Sequence, residues 1–460
     1  MVMPFLHRRP TVPATDGESW PHVVIIGGGF AGAQAVMGLR DTRVRVTLID
    51  RNVYKTFQPL LYQVATAGLN PGDVTMFLRG LSLKVPNMRY RQGEVVGVDP
   101  EEKVVTLDEG QRGAHHLSYD YLVLANGATT NFFGTPGAEE HAMPMYTRSQ
   151  ALAIRERVFS ELERSSRDST GDKLHVSIVG GGPTGVEIAG ALADFREQEL
   201  DILYPEMDPG TLQITLIQRG KDLIKEFREE YREYAAEELQ DRGVELCLGH
   251  GVDAVGYDHV ELDGGRILES DITIWAAGVG IAETVADWGL PQDDRGRLVV
   301  DETLQVEGFP GVYAAGDIAG GEHALPQLAQ PAIQTGQAVA KMIDADVTGA
   351  TKKPFSYLDF GTMATIGRHA AITQLPEVPG LGSHGLTGTV GWFSWLGVHV
   401  AKMIGHRNQR AVAMNLLSLY GGTRRTHQPN PVVGEVDSIA AAREFEKQAP
   451  HRKFGVNAQG

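Results

Sequence analysis

The stretch His22-Val-Val-Ile-Ile-Gly27-Gly-Gly-Phe-Ala-Gly32 decides the fold, because the chain repeats its pattern as His175-Val-Ser-Ile-Val-Gly180-Gly-Gly-Pro-Thr-Gly185. Each copy is an apolar run of strand length that enters a G-x-G-x-x-G turn and leaves it with apolar residues at helical spacing, Ala33–Leu39 and Val186–Ala193. The spacing has a physical content. The first glycine (Gly27, Gly180) permits the tight turn, the second (Gly29, Gly182) lets the backbone approach a pyrophosphate, and the third (Gly32, Gly185) lets helix pack on strand. The anion then sits at a helix N-terminus, among backbone N–H groups that no helical carbonyl satisfies. The expectation is an α/β chain with two Rossmann-like dinucleotide-binding domains, and two such sites in one chain imply electron transfer between their ligands.

The two units differ at the end of the following strand. Asp50 closes Val44–Ile49, eighteen residues past Gly32, where a carboxylate accepts hydrogen bonds from a ribose diol. The corresponding strand of the second unit, Leu212–Ile217, ends in Gln218, followed by Arg219 and Lys221. A neutral amide removes the repulsion that a carboxylate exerts on a 2′-phosphate, and Arg219 can pair with that phosphate in bidentate fashion, so NADPH fits. Gln218 can equally hydrogen-bond the ribose of NADH while Arg219 and Lys221 stay solvated, so the sequence leaves both readings of the second site open.

Composition bounds the rest. With 460 residues, 42% hydrophobic and 22% charged, the chain has room for two or three domains with substantial cores. A net charge of -16 argues against a general nucleic-acid binder, which needs clustered positive surface. The single cysteine, Cys247, lies in a strand-like run and reads as a buried inert thiol. It leaves neither a redox-active disulfide within the chain nor a zinc site built from several cysteines, and no metal site is expected. Arg8-Arg9-Pro10 has no apolar core after it, so the N-terminus does not read as a secretory signal, and the expectation is a cytoplasmic chain.

Along the chain, residues 1–20 read as a loose N-terminus, 21–149 with 291–345 as a discontinuous first dinucleotide domain, 150–290 as the second, 346–434 as a C-terminal domain and 435–460 as a tail. Alternation from Met88 to Leu107 predicts a small antiparallel insertion, and Gln150–Ser166 a helix. Ser270–Gly278 repeats the pattern of Tyr119–Gly127, as an internal duplication would. Asp317 follows the strand Gly311–Ala315 at its carboxyl end, where cofactors bind in open α/β sheets; its alternative role is to cap the helix that follows. From Val378 to Gly434 there is no acidic residue, while Lys402, Arg407, Arg410, Arg424 and Arg425 occur there. Trp392, Trp395, Leu396, Val400, Met403 and Ile404 fall on one helical face, a combination that suits an amphipathic helix in an anionic membrane surface. The competing reading packs that face on the protein's own core or in a dimer interface. No run reaches the roughly 18 to 20 apolar residues of a spanning helix.

Ala329-Gln330-Pro331-Ala332-Ile333-Gln334 resembles the AQxAxQ signature of the type II NADH:quinone oxidoreductases, single-subunit flavoproteins of the two-dinucleotide-binding-domain superfamily. Phe57-Gln58-Pro59-Leu-Leu-Tyr-Gln63-Val-Ala-Thr66, Trp275–Gly278 and the Trp-rich C-terminal segment are also similar to that family, and the likeness extends from His22 to about Arg425. The resemblance implies that Gly27, Gly29, Gly32, Asp50 and Asp317 hold FAD, and that Gly180, Gly182, Gly185 and Glu187 lie at the nicotinamide nucleotide; Gln218, followed by Arg219, departs from the family, whose members often carry an acid there. Gln330 and Gln334, four apart on one helix face, would offer amide donors to a quinone carbonyl, with Gln58, Pro59 and Gln63 completing the pocket. It further implies electron flow from NADH or NADPH through flavin to a membrane quinone without proton pumping, on the cytoplasmic side of the cell membrane, and it is compatible with a homodimer. Glu187 would couple the half-reactions or deliver protons; its alternative role is that of a helix-start carboxylate. Sulfide:quinone oxidoreductases and disulfide reductases need cysteine pairs that this chain lacks. The rival readings are a ferredoxin-type reductase and a nucleotide-sensing flavoprotein with little turnover.

Overall fold

A computed structural model describes residues 19–110, 113–167, 173–376, 385–403 and 405–421. The expected tail and Arg424 and Arg425 lie outside the described residues, as do Ile404 and all but the last two residues of the expected loose N-terminus. The chain divides into two compact units. The first comprises residues 19–56, Thr75–Asn131 and Val279–Phe360, and the second Phe57–Val74, Phe132–Gly278 and the described residues from Gly361 onward. The stretch read as a C-terminal domain is therefore divided, with its described residues from Gly361 grouped with the second unit.

The core of the first unit is a five-stranded parallel sheet in the order Val312–Ala314, Tyr121–Leu124, His22–Ile26, Arg45–Asp50, Met88–Gln92. His22–Ile26 pairs with the two strands beside it, Val23 facing Val46 on one side and Tyr121 on the other. Val23, Val24 and Ile25 are fully buried because a parallel sheet is covered on both faces, which is why such strands read as unbroken apolar runs rather than alternating ones. Met88–Gln92 corrects the sequence reading. It joins this sheet as a parallel edge strand, and only Glu94–Asp99, Val104–Asp108 and Ala114–Ser118 form the antiparallel insertion.

The second unit repeats the design. Its sheet runs Ala142–Pro144, Ile272–Trp275, Leu174–Val179, Leu212–Gln218, Glu245–Leu248, all parallel, with its own antiparallel insertion from Val252–Val255, His259–Leu262 and Arg266–Glu269. The expected duplication is thus a repeat of strand order. One detail breaks it: the first unit takes its outer strand, Val312–Ala314, from the end of the unit, whereas the second takes Ala142–Pro144 from its beginning. The helix expected at Gln150–Ser166 spans Arg148–Arg167, and Cys247 is buried.

In the first unit the fingerprint helix Phe30–Gly38 packs on Ala329–Thr348 at a glycine contact. A Cβ added at Gly336 would overlap the Ala31 carbonyl, and one at Gly38 would lie 2.5 Å from the Ala340 Cβ. Backbone cannot yield as a side chain can. Gly336→Ala is therefore expected to cost about 1–3 kcal/mol, read as a lowered denaturation midpoint. Gly80→Ala, whose added Cβ meets nothing within 4 Å, should stay within about 0.5 kcal/mol of the parent.

Candidate functional site

At the first fingerprint, Gly27 has φ +96°, a left-handed conformation that a side chain would strain, and an added Cβ would collide with the Ala125 carbonyl. Its N–H donates to the Ile49 carbonyl at 2.8 Å, which pins the turn to the end of the neighbouring strand. A Cβ on Gly32 would strike the Gly27 carbonyl, whereas one on Gly29 meets nothing within 4 Å. Two glycines are thus required by the protein's own packing, and the middle one leaves open backbone at the N-cap of Phe30–Gly38. Asp50 accepts from the N–H of Gly28 at 2.7 Å and of Asn52 at 2.7 Å. Burial raises its carboxyl above the ordinary value, and the two N–H bonds act against that shift. These residues fit the adenosine and pyrophosphate of a dinucleotide. Asp317 lies within the short turn Gly316–Ile318 after the strand Val312–Ala314 and does not cap the long helix, whose N-cap is Leu328.

The second fingerprint reproduces this geometry. Gly180 has φ +115° and donates to Ile217 at 2.8 Å, a Cβ on Gly185 would strike the Gly180 carbonyl, and Gly182 stands open at the N-cap of Pro183–Phe195. Gln218 takes the structural place of Asp50, its Oε1 accepting from Gly181 N–H at 2.9 Å. With one lone pair of its oxygen engaged, this amide keeps its N–H donors, which a ribose hydroxyl or a phosphate can accept. Arg219 is exposed and close enough to Asp263 to help depress that carboxyl, behind the N–H of Gly251 and the ring of His250.

Gln330 and Gln334 are half-buried on Ala329–Thr348 in the first unit. Gln334 makes a two-point pair with the main chain of Leu358, donating from Nε2 at 2.8 Å and accepting at 3.0 Å. Gln58, Pro59 and Gln63 belong to the second unit. Gln58 and Pro59 lie in a short turn, Gln58–Leu60, where Gln58 Oε1 is buried with no hydrogen-bond partner among the described residues. Gln63 is buried in Leu61–Ala65 and lines a cavity of about 40 Å³ together with Thr66, Asp194, Gln198, Glu199 and Arg368.

Glu187 sits inside the helix Pro183–Phe195 rather than at its start, and it is half-buried. Burial pushes its carboxyl up to about 8, against a single long contact from Thr365 N–H at 3.5 Å. Asp194 and Glu199 were not singled out from the sequence. Asp194, seven residues on and so on the same helix face, accepts from Arg368 N–H at 2.5 Å and lies 3.4 Å from Arg242. Burial raises its carboxyl to about 6 and that of Glu199 to about 7. His399 was also missed; burial lowers it to about 4, and it stacks on Trp395 at 4.3 Å. The i, i+7 spacing of Glu187 and Asp194 was the available signal for those two acids, while nothing local marks Glu199 or the desolvation of His399.

The C-terminal helices Gly388–Lys402 and His406–Gly421 correct the expected membrane face. Trp392, Trp395, Leu396 and Met403 are buried, and Gly388–Lys402 packs along the strand Ala370–Gln374. Large hydrophobic residues instead stand exposed on other faces, including Val390, Phe393 (56%), Val398, Met414 (67%) and Leu417. Among the described residues no helix is long and apolar enough to cross a membrane.

The folded value of Glu187 lies above the 4.5 of an ordinary glutamate, so the native state holds a proton that the unfolded chain releases, and stability falls as pH rises between the two values. Glu187→Gln removes that penalty. Its gain in Tm over the parent should be smallest near pH 4.5 and largest at about pH 8; a gain constant across this range would show that Glu187 titrates as a solvated acid.

The profile of the pyridine nucleotide-disulphide oxidoreductase family matches residues 21–336. The chain is 33% identical over 418 residues to the type II NADH:quinone oxidoreductase Ndh of Mycobacterium tuberculosis, covering 88% of this chain and 89% of the relative. It is 29% identical to an internal alternative NAD(P)H-ubiquinone oxidoreductase of Arabidopsis thaliana mitochondria, covering 89% and 85% of the two chains. NDH2 of Plasmodium falciparum, solved in complex with NADH, shares the fold with a TM-score of 0.79 at 21% identity, covering 89% of this chain and all of that one. Together with the paired glycine cradles, the near-complete match to the mycobacterial enzyme shows that this chain belongs to the type II NADH:quinone oxidoreductases of the pyridine nucleotide-disulphide oxidoreductase family.

Proposed function

We propose that the protein carries two electrons from NADH through FAD to a membrane quinone without pumping protons. The observation that carries this reading is the similarity to a type II NADH:quinone oxidoreductase over 88% of the chain. The net reaction, NADH + H⁺ + quinone → NAD⁺ + quinol, takes one proton from solution. When bound, FAD supplies the two-electron relay. The chain's own task is to hold ligands and to place protons. Gly27, Gly29, Gly32 and Asp50 seat FAD, with Asp317 toward its ribityl chain. Gly180, Gly182, Gly185 and Gln218 seat the nicotinamide nucleotide, and the amide N–H groups of Gln218 donate to the ribose of NADH or to the 2′-phosphate of NADPH as an optional donor. Glu187 is kept protonated near neutral pH by burial and serves as a proton-bearing group for the half-reactions.

For the quinone, Gln330 offers an amide donor, and Gln334 retains one Nε2 hydrogen beyond its pair with Leu358. In the second unit, Gln58 Oε1 is buried without a hydrogen-bond partner among the described residues, with Pro59 and Gln63 in the same segment. Leu328, Leu358 and Phe360 are exposed in the first unit, as a lipophilic substrate would favour. The protein docks peripherally on the cytoplasmic side of the membrane. The exposed Phe393 and Met414, with Lys402, Arg407 and Arg410 in a segment free of carboxylates, supply apolar and cationic contacts to an anionic lipid surface.

Anaerobic stopped-flow mixing tests the reaction. NADH should bleach the flavin, and a ubiquinone or menaquinone analogue should restore its colour. Gln330→Ala should slow the second phase by about tenfold, the loss of roughly one hydrogen bond, and leave the first unchanged; reoxidation that is equally slow in both proteins would favour the sensor reading. For docking, Phe393→Ser with Met414→Ser should weaken association with anionic vesicles by about tenfold or more, since each buried large apolar side chain contributes about 1.5–3 kcal/mol, with turnover on a water-soluble quinone retained. Undiminished vesicle binding would remove these residues from the contact.

A further inference from the structure

Lys55 lies beside the first fingerprint, and the proposed function leaves its place unexplained. It lies in the three-residue strand Tyr54–Thr56, which pairs antiparallel with Thr75–Phe77. This ribbon is packed onto the fingerprint turn. The next residue, Leu78, sits so close that a Cβ added at Gly28 would approach its methyl groups to 2.7 and 2.8 Å. Lys55 is only 6% exposed, and its Nζ lies 4.1 Å over the ring of Phe30, the first residue of the helix that begins at the open N-cap Gly29. Among the described residues no carboxylate forms an ion pair with it and no hydrogen bond from Nζ is found. Among the described residues the Phe30 ring face is its only electrostatic partner, and burial pulls the ammonium down to about 7.

A buried ammonium without a counter-ion is expensive, and a cation–π contact offsets only part of the lost hydration. The helix N-terminus beside it is built to receive an anion through unsatisfied N–H groups. A diphosphate at that terminus would supply the negative charge missing beside the buried Lys55, and opposite charges attract more strongly where one of them is withdrawn from water.

We propose that Lys55 is the cationic partner of the FAD diphosphate, its side chain passing over Phe30 to place a positive charge at the N-terminus of the Phe30–Gly38 helix. The proposal rests on the first fingerprint holding FAD, which stoichiometric FAD binding by the parent protein tests on its own. The lysine is a binding residue here and takes no part in proton or electron transfer. Methionine is the informative replacement, since it fills the same volume with no charge and suits a buried site.

The experiment compares deflavinated full-length parent, Lys55→Met and Lys55→Arg for binding of FAD, by quenching of flavin fluorescence, and of ADP, by competition. ADP carries the diphosphate without the flavin ring. Lys55→Met should bind both ligands at least about tenfold more weakly, while Lys55→Arg stays close to the parent. The apoprotein Tm of Lys55→Met should equal or exceed that of the parent, because a buried unpaired charge has been removed. Equal affinity of Lys55→Met and parent for both ligands overturns the proposal. Weakened FAD binding with unchanged ADP binding would move the contact to the flavin ring and overturn the diphosphate assignment. A lowered apoprotein Tm with affinity that arginine does not restore would make Lys55 a packing residue and also overturn it.

Discussion

The structure depends on a backbone contact that only glycine permits. In each unit the third fingerprint glycine brings a helix so close to the turn preceding it that any Cβ would occupy the position of a carbonyl oxygen, that of Gly27 for Gly32 and that of Gly180 for Gly185. The close approach brings the helix N-terminus to the carboxyl end of the central strand. There it meets the side chain that ends the next strand, Asp50 or Gln218, which is hydrogen-bonded to the turn itself. A dinucleotide site is therefore a by-product of how strand, turn and helix pack, present twice because the packing is present twice. The same restriction recurs where Gly336 meets the Ala31 carbonyl and where Gly190 meets that of Ile366, so glycine also fixes where each fingerprint helix packs on a neighbouring element.

Burial without pairing is the second organising feature. Lys55 and Glu187 carry opposite charges when ionised, each lies inside its own unit, and each is driven toward its neutral form by desolvation with little compensation. Asp194 is different. Its carboxyl is also raised, but Arg242 and the Arg368 N–H stand against it, so the shift is smaller. A buried group with compensating partners reads as structure, and one without them as a site awaiting a charge or holding a proton.

Much of this was legible in the chain itself. The paired fingerprints gave the fold class and the duplication, because the G-x-G-x-x-G spacing has a single steric meaning in a strand–turn–helix context. Met88–Gln92 was misread because the run from Met88 to Leu107 alternates throughout, and alternation does not reveal which partner an edge strand takes. The tryptophan stripe of the C-terminal segment suited a lipid surface or the protein's own core, and it packs on Ala370–Gln374. An apolar helical face announces that something covers it, and a sheet of the same protein serves as well as a bilayer. The residues left exposed, Phe393 and Met414 among them, lie off that stripe.

The sequence by itself determined two dinucleotide cradles, an acid at one and an amide at the other, and a glutamine pair at helical spacing, because all of these are set by neighbours within a few residues or one turn. Only the tertiary structure decided that Gln334 is tied to Leu358, that Glu187 lies in a helix interior without a strong partner, and that Lys55 is enclosed over Phe30. The reason is that charge and hydrogen-bonding state depend on what has been removed from water and what stands opposite. Those neighbours are brought together by packing and not by spacing along the chain.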